Sequence, residues 1–133
     1  MTGDRKSSPG LYDDLQMKLS PGGPRDYADA TDGPVRYALV ANADGVVLGY
    51  LWAAEQDDAA DFLPRPAAGI PARQAAGTWV TQLRHGKQRD LTPVQALAEL
   101  AGFAGNINSG RVVPGSEATA PSLDALNQIA GQS

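Results

Sequence analysis

The segment from Leu83 to Arg89 contains the only histidine of the chain, His85. An imidazole is the usual general base of nucleophilic catalysis, and it would act here with a nucleophile and an orienting acid from elsewhere in the sequence. A simpler role is also open, because a cation in the last turn of a helix is stabilised by the negative end of the helix dipole. His85 is therefore a candidate catalytic residue, with a purely structural role as the alternative.

Three basic residues surround this histidine, namely Arg84, Lys87 and Arg89. They are candidate ligands for a phosphate or carboxylate, because arginine offers a planar donor fork and the helix start at Thr92-Pro93 supplies free backbone N–H groups. The competing interpretation is a solvated turn between two helices, since surface lysines and arginines are common.

An acidic run contains Asp57, Asp58 and Asp61. Carboxylates bind hard cations, but a calcium loop alternates its ligands over about twelve residues around a glycine and ends on a glutamate. That pattern is missing, so we expect no metal site. A pocket that joined His85 to one of these aspartates would favour an enzyme or a ligand-binding protein.

The composition excludes several chemistries. The chain has no cysteine, which excludes disulfides, thiolate catalysis and cysteine-ligated zinc or iron–sulfur clusters. No nucleotide-binding, metalloprotease or nucleophile-elbow motif is present, so no cofactor is expected. The usage of Ala, Gly, Pro and Arg is typical of a GC-rich bacterial genome.

The charge is unevenly distributed. Residues 1–64 contain 11 acidic and 5 basic residues, whereas residues 65–133 contain 4 and 6. This is not the basic surface of a nucleic-acid-binding protein, so no nucleic-acid partner is expected. No apolar stretch approaches the roughly 18 residues of a membrane span, and the N-terminus has no secretory signal pattern. We therefore expect a cytoplasmic protein without a membrane partner.

The strongest structural signal is a β-hairpin at about residues 35–53. Two β-prone runs flank Asp44-Gly45, a typical hairpin turn. A two-residue turn would place five large residues on one face: Tyr37, Leu39, Leu48, Tyr50 and Trp52. A three-residue turn with Gly45 in a bulge would separate Tyr37 and Leu39 from Tyr50 and Trp52.

Helical patterns flank this hairpin. Ser8-Pro9 predicts the start of a helix with Leu11, Leu15 and Leu19 on one stripe. Further helices are predicted at 71–85, at 93–101 behind a capping box formed by Thr92 and Gln95, and after Ser122. The fold class is thus α+β, a small antiparallel sheet built on the hairpin and backed by three to four short helices.

Domain organisation and packing follow from these elements. Residues 1–8 are predicted to be a disordered tail, residues 9–133 a single globular domain, and residues 21–34 a mobile loop without apolar anchors. We expect Val40, Leu51 and either Trp52 or Tyr50 to be buried. Trp79 should pack on the sheet from the 71–85 helix.

The edges of a two-stranded unit need partners. We expect a third strand, from residues 111–113 or from the segment after Ala53, or a symmetric dimer through the hairpin. By elimination of catalytic motifs, the leading interpretation is a non-enzymatic protein-interaction or regulatory module that binds a protein partner or itself through the hairpin. The alternative is an anionic-ligand-binding protein or enzyme that uses His85 with Arg84, Lys87 and Arg89.

Overall fold

The computed structural model describes residues 26–103 and 108–132 and shows an α+β fold with one antiparallel sheet. Its strands are β1 (Val35–Ala41), β2 (Val47–Ala54), β3 (Ala60–Pro64), β4 (Arg111–Val112) and β5 (Ala118–Ala120). Its helices are α1 (Gly69–Gln88), α2 (Pro93–Leu100) and α3 (Leu123–Gln132), and a 3-10 turn (Pro66–Ala68) precedes α1. The sheet order is β3-β2-β1-β4, and β5 pairs with the same strand, β1, as β4.

The register of the hairpin combines both alternatives from the sequence. The backbone N–H of Asn42 donates to the carbonyl of Val46, so the turn has three residues, with Gly45 at a φ of 82°. A bulge at Leu48 then shifts the register by one residue. The shift pairs Tyr37 with Trp52 and Leu39 with Tyr50, as a two-residue turn would have done.

The bulge also corrects the prediction that Leu48 shares a face with Tyr50 and Trp52. Two successive residues of a bulged strand face the same side, and Leu48 joins Val40 and Leu51 on the other side of the sheet. Here we call this side the inner face and the side with Tyr50 and Trp52 the outer face.

Helices α1 and α2 cover the inner face. Trp79 is completely buried in the middle of α1, and its indole N–H donates to the carbonyl of Ser109 at 2.8 Å. Its ring also packs edge-on against the ring of Phe103, with 5.5 Å between the two ring centres. The predicted packing of Trp79 on the sheet is confirmed, as is the burial of Val40, Leu51, Tyr50 and Trp52.

The helix bounds differ modestly from the predicted ones. With 20 residues, α1 starts before Pro71 and continues beyond Gly86, so it is not a short helix. Gly86 fits inside it because the glycine allows close contact with Ala96 of α2. The capping box at Thr92 and Gln95 is confirmed, with both reciprocal hydrogen bonds present.

The outer face is covered by α3 among the described elements. Leu126 and Ala130 of this helix are buried with Val35 and Trp52. Ser122 caps the helix through its hydroxyl oxygen, which accepts the N–H of Ala125 at 3.1 Å. Ile129 of the same helix is 38% exposed.

Both expected sources of additional strands are used. The segment after Ala53 returns as β3 against β2, and residues 111–112 pair with β1. The expectation that residues 21–34 lack an apolar anchor is wrong for the described part, because Tyr27 is buried in the inner cluster and Ala28 bridges Ala59. The predicted tail 1–8 and the predicted helix from Pro9 to Leu19 lie outside the described residues.

Candidate functional site

Each of the three candidate anion ligands forms an ion pair with a different carboxylate. Arg84 contacts Asp26, with 2.6 Å between its Nε and the Oδ1 of the aspartate, and Lys87 contacts Asp58. Arg89 makes a two-pronged contact with Glu99, and this hydrogen bonding lowers the pKa of Glu99 and raises that of Arg89. The three cations therefore point to three acids and do not converge on one ligand position.

His85 lies on the exposed side of α1. Clefts of about 630, 480 and 400 Å³ open on the surface of the described residues, and His85 is not among the residues that line these three. None of these clefts joins His85 to Asp57, Asp58 or Asp61. These aspartates instead line the first two clefts with Arg84 and Lys87.

The first cleft lies between the edge strand β3 and α1. Burial raises the pKa of Asp61, although its Oδ1 accepts the backbone N–H of Phe62 at 2.8 Å. Burial and the charge of Asp58 raise the pKa of Tyr27 to about 12, and the Tyr27 hydroxyl donates to the carbonyl of Leu91 at 2.7 Å. The Tyr27 bond anchors the residues before β1 to the loop between α1 and α2.

The second cleft is bounded by the acidic run and by the start of α2. The ammonium group of Lys87 lies 5.6 Å from the centre of the Tyr27 ring and pairs with Asp58. The ammonium group of Lys87 therefore supplies the positive charge that balances Asp58 in this cleft. Within the described residues, no three metal-ligating side chains of the His, Asp or Glu type converge.

The outer face has an apolar surface near the hairpin turn that α3 does not bury completely. We define the outer strip as Leu39, Ala41, Val47 and Leu63, all of them half-buried. Leu63 lies opposite Tyr50, which lies opposite Leu39, so these three side chains form a row across three strands. Val47 and Ala41 form the next row towards the turn.

Two arginines flank the outer strip. Arg111 on β4 pairs with Ala41 and is exposed. Arg65 follows β3, and its guanidinium donates to the carbonyl of Val47 at 3.4 Å. The sequence predicted an apolar hairpin but not this strip, because its four residues come from three strands and only the register brings them together. The alternation of large residues in the hairpin was the available signal.

Comparison of the chain with protein-family models, with curated proteins and with solved structures found no match. None of the helices in the described part of the chain has the length and apolar character needed to cross a membrane. Functional inference for this chain therefore depends on its own surfaces.

Proposed function

We propose that this chain is a non-enzymatic protein-interaction module and that its contact surface is the outer strip. The observation that carries the proposal is the half-exposed apolar row of Leu39 and Leu63 beside Val47, on a sheet whose other face packs against α1 and α2. Apolar patches bounded by charged residues are typical of protein-binding surfaces. A sheet also supplies a rigid platform for such a contact.

The arrangement around His85 favours this function over the anionic-ligand alternative. Binding an anion with Arg84, Lys87 and Arg89 would require each of them to leave a carboxylate partner. If the alternative were correct, inorganic phosphate would raise the melting temperature of the wild type and would not raise that of Lys87→Ala. We expect no rise at millimolar phosphate in either protein.

The interaction is tested with a photo-crosslinking amino acid placed at the exposed position 111, beside the strip. Position 98, exposed on α2, is the matched control. In cells of the native host we expect one discrete adduct from position 111 and none from position 98. The adduct should disappear when Val47→Lys is added, and it should persist with His85→Ala.

Two results would contradict the proposal. Adducts of equal yield from both positions would show unspecific contact, and an adduct insensitive to Val47→Lys would place the partner elsewhere. Circular dichroism of Val47→Lys separates loss of binding from loss of folding. Ile70→Lys, which alters an exposed apolar residue outside the strip, should leave the adduct unchanged.

A further inference from the structure

Helix α3 leaves one part of the outer strip half-exposed. The main contacts of this helix are with β3, β5 and the 3-10 turn, so it lies beside Leu63. The other three strip residues, Leu39, Ala41 and Val47, belong to β1 and β2 and are half-buried. A partner of the outer strip therefore meets these three side chains, next to the hairpin turn.

The outer edge of β3 offers no N–H group to a partner strand. The odd-numbered residues of this strand exchange hydrogen bonds with β2, so the backbone groups of Ala60, Phe62 and Pro64 face outward. The N–H of Ala60 donates to the carbonyl of Ala28 at 2.9 Å, and the N–H of Phe62 donates to the carboxylate of Asp61 at 2.8 Å. Proline has no N–H. Features of this kind protect sheet edges against strand addition.

The opposite edge of the sheet is divided into two short pieces. Strand β4 has two residues and β5 has three, whereas a typical strand has about five or six. Between them, the hydroxyl oxygen of Ser116 accepts the N–H of Leu39 at 3.0 Å. Pro114 also lies between the two pieces, and Pro121 follows β5 directly. Within the described residues, the sheet therefore has no edge on which a partner could add a strand of ordinary length.

Closed edges favour a helical partner on the face of the sheet. A segment bound to the face gains no backbone hydrogen bonds from the sheet, and an α-helix satisfies its own N–H and C=O groups internally. The spacing also fits, because Leu39 and Ala41 are two residues apart on β1, which is about 6.6 Å along a strand. Side chains four residues apart on a helix are separated by about 6 Å along its axis.

Positive charge borders the half-exposed part of the strip. Arg111 lies opposite Ala41 and forms no ion pair within the described residues. At the other end of the same row, the guanidinium of Arg65 donates to the carbonyl of Val47. By contrast, the three basic residues around His85 are all paired with carboxylates. An arginine without an ion pair beside an apolar surface selects a partner that carries a carboxylate.

We propose that the partner of the outer strip is an amphipathic helix with acidic residues beside its apolar stripe. The stripe contacts Leu39, Ala41 and Val47, and a carboxylate of the helix pairs with Arg111. This inference rests on the proposed function and deepens it, because it names the charge and the backbone structure of the partner.

A yeast-displayed library of designed peptides tests the inference, with the purified full chain as bait. One half of the library has leucines at helical spacing, and the other half has leucines at every second position, as in a strand. The positions beside the leucines contain Asp, Glu, Lys and Arg in equal proportions. We expect severalfold enrichment of helical peptides with Asp or Glu beside the stripe over those with Lys or Arg.

The charge of the chain makes this outcome diagnostic. Its net charge is −4, so unspecific attraction would enrich basic peptides instead. With Arg111→Glu as bait, we expect the acidic preference to be lost. Arg73→Glu makes the same charge change at an exposed position of α1 and should leave the preference unchanged. The neutral change Val47→Asn should abolish the enrichment, and Ala41→Asn serves as a second strip variant if Val47→Asn does not fold.

Three results would overturn the inference. Enrichment of the alternating peptides would show a strand-like partner. An acidic preference that is missing, or that persists with Arg111→Glu, would show that Arg111 does not select the partner. Enrichment that does not depend on the strip, or no enrichment at all, would show that the strip does not bind such a helix. The first two results leave the proposed function intact, because the strip still binds a peptide, and the host-cell adduct tests that function separately.

Discussion

The two faces of the sheet are covered very differently. On the inner face, α1 and α2 bury Leu51 and Trp79 completely, and the cluster reaches from Tyr27 to Val112. On the outer face, α3 buries Trp52 and Val35 but leaves the outer strip half-exposed. We therefore expect the inner face to provide most of the folding stability, and under the proposed function the half-exposed apolar area of the outer face is the contact surface.

The largest expected difference in stability comes from making the same leucine-to-alanine substitution on each face. Leu51→Ala should lower the free energy of unfolding by about 2–5 kcal/mol, because it leaves a cavity in a closed core. Leu39→Ala should cost less than half as much, since its side chain is only partly buried. Urea denaturation of both variants checks this, and equal losses would mean that the outer strip is packed as firmly as the inner face.

Alanine substitutions at two glycines test how tightly the inner side of the molecule is packed. A Cβ at Gly49 would lie 2.4 Å from Phe62 and 2.5 Å from the carbonyl oxygen of Leu63, so Gly49→Ala should cost about 1–3 kcal/mol. Gly77 on α1 has open space, and Gly77→Ala should stabilise the protein by about 0.5–1 kcal/mol. A neutral Gly49→Ala in thermal denaturation would show that the inner face yields easily.

Tyr27 tests how the inner cluster extends beyond the sheet. Tyr27→Phe removes the hydroxyl bond to Leu91 and should cost about 1 kcal/mol at neutral pH. Burial raises the pKa of this phenol to about 12, so the folded protein favours the neutral form. Its contribution is present below pH 10 and is lost as the pH rises from 10 to 12.

Absorbance titration at alkaline pH checks the Tyr27 assignment. The wild type should show a late phenolate step near pH 12 that is missing in Tyr27→Phe. Tyr37→Phe is the matched control and should retain the late step. Loss of the late step in the control alone would place the raised pKa on the outer face.

The smallest expected effect on stability is the pH dependence that comes from Asp61, which lies opposite Trp52 on the edge strand. Burial raises its pKa, so the folded state binds the proton more tightly than the unfolded state does. Stability from this group is therefore present below the unfolded pKa and decreases as the pH rises through the folded pKa. Asp61→Asn should remove that decrease, giving a flatter profile of melting temperature as the pH rises above the ordinary pKa of an aspartate, about 4. An unchanged profile would mean that the carboxyl is fully solvated.

The sequence predicted the elements better than their connections. Alternating large residues and Asp44-Gly45 identified the hairpin, and Thr92 and Gln95 identified the start of α2. No sequence pattern predicted the bulge at Leu48. The bulge arises because the turn has three residues whereas the strands pair Tyr37 with Trp52, and these two registers differ by one residue. Tyr27 was missed because a single aromatic residue in a polar segment has no periodicity.

The candidate site was less predictable for a related reason. The basic cluster at Arg84 and Lys87 is continuous in sequence, but its acidic partners Asp26 and Asp58 are 58 and 29 residues away. Only the fold shows that these charges are paired. In the same way, the outer strip combines residues of three strands, and a local pattern cannot reveal a surface whose members meet through the sheet register.

The bulge at Leu48 has a practical consequence for engineering. The bulge shifts the strand register between the turn and the pair of Leu39 with Tyr50. We therefore expect that a longer turn at the tip of the hairpin leaves unchanged which side chains lie on each face of the sheet. Ala43 and Asp44 are exposed at this tip. A peptide epitope or a biosensor loop inserted between them would lengthen the turn and keep the side chains of Tyr37, Leu39, Tyr50 and Trp52 on the outer face. This turn is therefore a suitable site for peptide insertion.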